Sequence, residues 1–301
     1  MGRRLATVED LTKFRGVLID NEPMSTHTSL KVGGPADLFA IPEDKDDLVL
    51  LVDALATRGI PWILIGRGYN LLVRDTGIRG AVISLKALDR IENLGDGRVR
   101  ADAGAENLAV VRFAQTLGLG GIGFISGIPG TIGGAVRMNA GAYGQGLLDR
   151  TACLTLLRQG MVREFCMSGM DFGYRRLTLE EGDIVLAATL RLEPRDPQET
   201  EVEIRKDLEL RRDKHSVGFP SAGSFFKNPP GQAAWRLIDG AGLRGARVGG
   251  AQVSEVHSNF LVNTGSASAD DFLRLAAMVK DAVCASSGIL LEEEVRIVGE
   301  E

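Results

Sequence analysis

The sequence predicts an α+β fold, and three observations predict it. Strand-like apolar runs and amphipathic helical stretches both occur, but they do not alternate as βαβ units. Glycine supplies 38 of 301 residues, nearly twice the usual share of about 7%, with no Gly-X-Y period. Hydrophobic residues make up 44% and charged residues 25%, a globular balance that excludes disorder and coiled coil. At about 150 residues per domain, a chain of this length suggests two.

The first helix is expected over residues 44–59, where Leu48, Leu51, Val52 and Leu55 share one face and Gly59 supplies the stop. Residues 62–65 form a short apolar strand that runs into Gly66, Gly68 and Asn70. Further strands are expected at 81–85 and 99–101, and a second helix at 106–117 capped by Gly118. Residues 113–136 carry no charge, which is long enough to cross a bilayer, but eight glycines and Pro129 argue against a helix there. They read as a glycine-rich loop system. A strand at 184–192 ends in EPRDPQETE (193–201), the best candidate for a domain boundary. Beyond it come a charged helix to about Lys214, a glycine-rich stretch at 219–250, and a helix at 269–285 that Ser268 and Asp271 cap. A final strand at 290–298 completes the pattern.

A net charge of −5 argues against general nucleic-acid binding. Cys153, Cys166 and Cys284 show neither CxxC nor zinc spacing, and His27 and His215 show no ligand spacing, so no metal is expected. The N-terminal MGRRLATVEDLTKFRG mixes both charge signs around no apolar core, and Ala6 breaks the myristoylation pattern. No membrane association is expected, and the cytoplasm is the expected location.

The familiar phosphate motifs fail. No GK[ST] follows a glycine loop, and Gly66-Arg-Gly68-Tyr69-Asn70-Leu71 lacks the third glycine and the helix of a Rossmann turn. The segment SGIPGTIGGA (126–135), followed by NAGAYG (139–144), is different. Gly127, Gly130, Gly133 and Gly134 leave backbone N–H groups unobstructed, an arrangement able to wrap a diphosphate. A structural bend is the competing reading.

Six segments in register carry a resemblance: TSLKVGGPAD (28–37), GRGYNLLV (66–73), SGIPGTIGGA, NAGAYG, GSFFKNP (223–229) and EVRIVG (294–299). Together they resemble the UDP-N-acetylenolpyruvoylglucosamine reductase family from about residue 20 to 299. The glycine motifs belong more widely to FAD domains of the vanillyl-alcohol-oxidase type; GSFFKNP and EVRIVG single out the reductase. The resemblance implies a two-lobed FAD-binding domain over 1–198, with lobes meeting near residue 86, and a smaller α+β substrate domain over 199–301. It also implies that the last strand returns to the active site. FAD would be bound by Gly66, Gly68, Tyr69, Asn70, Leu71, Leu72, Ser126, Gly127, Pro129, Gly130, Ile132, Gly133, Gly134, Asn139, Gly141 and Ala142. NADPH would be the exchanged reductant, and no protein partner is required of a monomer. Tyr69 and Leu177 stand where the family commonly has Ser. Arg175 and Ser224 are 49 positions apart, as in the shorter branch without a substrate-capping insertion.

The implied reaction reduces an enolpyruvyl ether to a lactyl ether. It needs a cation at the substrate carboxylate, a second polar group there, and a proton donor to the α-carbon. Arg175, Glu294 and Ser224 match the family's residues for these roles, with Arg176 as the solvent-facing neighbour. Lys214 and Asn228 are candidates for the UDP-sugar, Phe225 and Phe226 for apolar walls, and the roles of Gln252 and His257 stay open. Competing readings are another oxidase of the same flavin fold and a non-catalytic nucleotide-sugar-binding regulator.

Overall fold

The structure is a computed structural model that describes residues 13–142, 144–215 and 217–301, apart from the side chains of 211 and 213–215. The start of the N-terminal stretch (1–12), Tyr143 of NAGAYG, and the side chains of Lys214 and His215 therefore lie outside the described residues. Capping and apolar periodicity dictate most elements. The chain begins with β1 (Val17–Pro23), β2 (Pro35–Ile41), α1 (Lys45–Thr57), β3 (Trp62–Ile65), β4 (Leu71–Val73) and β5 (Ile78–Ser84). It continues with β6 (Ile91–Gly95), β7 (Arg98–Asp102), α2 (Asn107–Thr116), α3 (Ile132–Arg137), β8 (Thr151–Arg158) and β9 (Met161–Cys166). Next come β10 (Phe172–Gly173), β11 (Arg176–Leu177), β12 (Ile184–Arg191) and α4 (Pro197–His215). The last part holds β13 (Ser221–Ser224), α5 (Ala234–Gly240), β14 (Arg247–Val248), β15 (Ala251–Val253), β16 (Phe260–Asn263), α6 (Ala269–Ser287) and β17 (Arg296–Val298).

These elements gather into two compact units. The first contains the described residues up to Ile19, Leu38–Gly66 and Ala81–Glu209; the second contains Asp20–Asp37, Arg67–Gly80 and Leu210–Glu301. Composition marks a single change of domain near 198, whereas compactness places the last change between Glu209 and Leu210 and assigns 20–37 and 67–80 to the second unit as well. The cause is visible in β4, which pairs in parallel with β17 (Leu71↔Arg296, Val73↔Val298), a partnership no local pattern announces.

In the first unit, α1 starts from Asp44, whose side chain accepts the Asp47 N–H, and packs Leu48, Leu51 and Leu55 against Leu38, Ala81, Ile83 and Leu186. Burying each such side chain contributes about 1.5–3 kcal/mol. β3 pairs in parallel with β5. A five-stranded antiparallel sheet, in the order β9-β8-β12-β7-β6, packs on α2 and α3 through Val99, Val111, Ile132, Val136, Leu154 and Leu190. Two sequence expectations change here. α3 lies inside the stretch read as loop, because Ile132, Ala135 and Val136 supply buried contacts that outweigh the helix cost of Gly133 and Gly134. α4 begins at Pro197, within the boundary stretch, since proline suits a first helical turn.

In the second unit, a sheet in the order β13-β16-β15-β14 shares its core with α6. α6 buries Phe272, Leu275, Val279 and Val283 along one face. A capping box of Ser268 and Asp271 opens it, and Gly288, left-handed at φ 73°, ends it. Asp271 also accepts the Gly250 N–H, and these backbone hydrogen bonds hold its carboxyl below the usual range. The expected strand at 290–298 is regular only from Arg296. Before that, residues 292–294 are joined to 225–227 by one Phe226↔Glu293 bridge and by the Lys227 N–H donating to Glu292 O.

Candidate active site

Within the first unit, the SGIPGTIGGA segment is pinned at both ends of its turn. The Asn107 N–H donates to Gly130 O and its Nδ2 to Ile128 O (3.1 and 3.0 Å); the N–H groups of Ile132 and Gly133 donate to Ala105 O and Ala103 O. Gly133 is required by close approach, because a Cβ there would lie 2.8 Å from the Ala103 Cβ. Gly134 is exposed, and a Cβ there would meet nothing nearer than Thr131 Oγ1 at 3.8 Å. Two buried polar atoms in this frame, Ser126 Oγ and Asn107 Oδ1, have no hydrogen-bond partner among the described residues. Leaving such a group unsatisfied costs about 1–3 kcal/mol, so it calls for a ligand or water. An open glycine edge beside the unpartnered Ser126 hydroxyl, which can donate, fits a diphosphate, whereas Asn107 Oδ1 is an acceptor and calls for a donor such as water. Gly66, Gly127 and Pro129 belong to the same unit; a Cβ on Gly66 would lie 3.0 Å from Thr131 Oγ1.

Arg175 occupies the two-residue turn between β10 and β11. It adopts φ 54°, a conformation that costs a non-glycine residue about 1–3 kcal/mol and persists only where neighbours impose it. Asn139 and Gly141 help impose it. Arg175 Nη1 donates to the carbonyls of Asn139 (3.5 Å) and Gly141 (3.3 Å), and its guanidinium lies 5.2 Å from the Tyr174 ring centroid. Buried Asn139 clamps the turn in return: its Nδ2 donates to Gly173 O (2.9 Å) and its Oδ1 accepts the Leu148 N–H (3.1 Å). Asn139, Gly141 and Arg175 thus form one cluster, with Ala142 next in the chain to Gly141. Arg176 is exposed and paired with Asp171. Leu177 is buried in the apolar core.

Within the second unit, β4 continues the glycine turn. Gly68 is forced by space and dihedral, with φ 65° and a hypothetical Cβ 1.9 Å from His27 O. Tyr69 is exposed, while Leu71 and Leu72 are buried. Asn70 reaches the C-terminal segment twice: its Nδ2 donates to Glu294 O (3.0 Å), and its carbonyl accepts the Arg296 N–H (3.1 Å). Ser224 ends β13, after the left-handed Gly223, at a bulged register with β16. The adjacent Phe225 joins it to Glu294, whose N–H donates to Phe225 O (2.8 Å). Ser224, Glu294 and Asn70 are therefore held by one backbone network. Glu292 and Glu293 turn instead to Lys227 (3.1 Å) and Lys280 (3.0 Å).

One residue of this network escaped sequence reasoning. Asn259 is 2% exposed; its Oδ1 accepts the Phe226 N–H (3.0 Å), its Nδ2 donates to Phe226 O (2.8 Å), and its own carbonyl accepts the Phe225 N–H (2.7 Å). An asparagine inside the apolar run SNFLVN was the available signal. Phe225 and Phe226 are fully buried with rings in edge contact at 5.2 Å, and they anchor the loop in the core. Asn228 Oδ1 accepts the Ala234 N–H at the start of α5 (3.0 Å). The Gln252 amide is engaged with Gly245 O and Arg247, and His257 packs against Phe260. Lys214 falls in the last turn of α4. No group of three potential metal ligands occurs among the described residues, and no described helix is long and apolar enough to cross a membrane.

Residues 36–158 match an FAD binding domain, and 214–298 match the UDP-N-acetylenolpyruvoylglucosamine reductase C-terminal domain. A UDP-N-acetylenolpyruvoylglucosamine reductase of Pelobacter propionicus is 71% identical over 288 residues, covering 96% of this chain and 98% of the relative. This chain belongs to the UDP-N-acetylenolpyruvoylglucosamine reductase family. The reductase of Geobacter metallireducens is 55% identical, covering 96% of each chain. The crystal structure of the Thermus caldophilus reductase matches with TM-score 0.81 at 33% identity, over 94% of this chain and 98% of that one. As a member of this reductase family, the chain is an FAD-dependent oxidoreductase of α+β architecture.

Proposed function

We infer that this chain reduces the enolpyruvyl ether of UDP-N-acetylglucosamine enolpyruvate to the lactyl ether of UDP-N-acetylmuramate, with NADPH as reductant, in peptidoglycan precursor synthesis. The observation that carries this reading is the backbone network fastening Ser224 and Glu294 together through Phe225, in a chain of this family. When bound, the flavin, once reduced by NADPH, would supply a hydride to the β-carbon of the substrate. Ser126, Gly127, Pro129, Gly130 and Gly134 would hold its diphosphate side, and Ile132 and Gly133, whose N–H groups donate to Ala105 O and Ala103 O, would shape the turn; Gly66, Gly68, Tyr69, Asn70, Leu71, Leu72, Asn139, Gly141 and Ala142 would complete the set. The orphaned Ser126 hydroxyl supports that assignment.

The protein's own task is to manage the charge and the proton. Arg175, already fixed in an imposed turn, pairs the substrate carboxylate on which negative charge accumulates. Glu294 would supply the second polar group that this reaction calls for. Ser224 Oγ delivers a proton to the strongly basic α-carbon, which a hydroxyl can protonate without a histidine partner. Lys214 and Asn228 contact the UDP-sugar, Asn228 through Nδ2, since its Oδ1 serves Ala234. FAD binding falls to residues 1–198 and UDP-sugar binding to 199–301, in a cytoplasmic monomer. Turnover in D₂O tests the reading, because product from the FAD-loaded chain should carry solvent deuterium at the α-carbon. Failure to consume the enolpyruvyl sugar with NADPH present, or an α-carbon without deuterium, would overturn it.

A further inference from the structure

Cys153 and Cys166 look unrelated in sequence, 13 positions apart. In the β8–β9 pair they stand directly opposite one another, with Sγ atoms 3.3 Å apart. Opposed residues of an antiparallel ladder have Cα atoms about 4.5 or 5.5 Å apart, and a disulfide spans either distance. Side-chain rotation alone can close the bond. Both thiols are free; Cys166 is exposed and Cys153 half-buried. Burial first, and then the hydrogen bond with Cys166, push the Cys153 thiol up to about 11, which leaves Cys166 as the thiol that meets a reagent first.

We propose that Cys153 and Cys166 are a redox-active dithiol that closes to a cross-strand disulfide by exchange with a low-molecular-weight disulfide. The Cys166 thiolate attacks one sulfur of the reagent; the reagent's S–S bond breaks, and its other half leaves as a thiol. Cys153, deprotonated, then attacks the Cys166 sulfur of the mixed disulfide and expels the second half. The protein loses two protons and two electrons, and the small disulfide gains both as two thiols. The bond has a local consequence for the site. β9 ends at Cys166 and leads through Met167–Gly169 into the Phe172–Leu177 hairpin that presents Arg175. Closing the disulfide fixes the strand end from which that hairpin departs.

The experiment treats the FAD-loaded full chain with oxidised glutathione and maps its peptides after alkylation. The expected result is one intramolecular 153–166 linkage, lighter by two hydrogens and reversed by dithiothreitol, with Cys284 alkylated throughout. Cys153→Ser should arrest as a mixed disulfide on Cys166, and Cys166→Ser should form no linkage. The oxidised wild type should melt about 5 °C higher than the reduced form. Glutathione carried separately on both cysteines, or a linkage only between chains, would overturn the proposal. A Cys153→Ser chain that takes up no glutathione at Cys166 would overturn the order of attack.

Discussion

Replacing Asn259 with alanine should loosen the loop that carries Ser224 while leaving FAD in place. The substitution removes two side-chain hydrogen bonds to the Phe226 backbone, at 3.0 and 2.8 Å, and strands an N–H and a C=O beside a fully buried residue. Each lost bond contributes about 0.5–1.5 kcal/mol net, and each stranded buried group costs about 1–3 kcal/mol. Partial relaxation and water entry bring the expected loss to about 3 kcal/mol, among the larger effects of a single substitution. The chain has two tryptophans, and Trp235 lies in the second unit. In a Trp62→Phe background, urea unfolding followed by Trp235 fluorescence therefore reads that unit alone. Turnover should fall with bound FAD unchanged, and Asn259→Asp should do no better than Asn259→Ala, because its carboxylate would set a buried acceptor against the Phe226 carbonyl that Nδ2 now reaches at 2.8 Å. A loss below about 1 kcal/mol with unaltered turnover would refute the claim that Asn259 holds the loop.

Ser224→Ala should retain FAD and still be reduced by NADPH, but sugar turnover should drop about 10²–10⁴-fold, with partial recovery in Ser224→Cys; activity within about threefold of wild type would make Ser224 a structural residue. Gly133→Ala should destabilise the first unit, because its Cβ would press on Ala103 at 2.8 Å, whereas Gly134→Ala should fold normally and lose FAD affinity in a flavin titration. Glu201 is held at about 2, first by Arg112 and then by Arg205 and Gln115. Its contribution is present above the ordinary carboxylate value of 4.5 and disappears as pH falls towards 2, so Glu201→Gln should flatten that part of an acid-unfolding curve.

Local physics made much of the fold legible. The α1 and α6 boundaries follow from Asp44, from the Ser268–Asp271 box and from Gly288, all written in neighbouring residues. The short strands β3, β5 and β7 likewise follow from apolar runs between turn residues. What escaped depends on partners far along the chain. α3 forms despite two glycines because the core buries Ile132 and Val136. The last strand shortens to Arg296–Val298 because its earlier residues attach to the Phe225–Lys227 loop. The cysteine pair becomes visible only once β8 and β9 are in register. At the site, the SGIPGTIGGA loop was readable from its glycines and GSFFKNP only through the family resemblance, while the supports Asn107 and Asn259 were hidden as single polar residues among apolar neighbours.

Anaerobic stepwise mixing tests the central claim most directly. The purified FAD-loaded chain should lose its flavin absorbance on addition of NADPH and regain it when UDP-N-acetylglucosamine enolpyruvate is added in the absence of oxygen. A flavin that NADPH bleaches but the enolpyruvyl sugar leaves bleached would contradict the account.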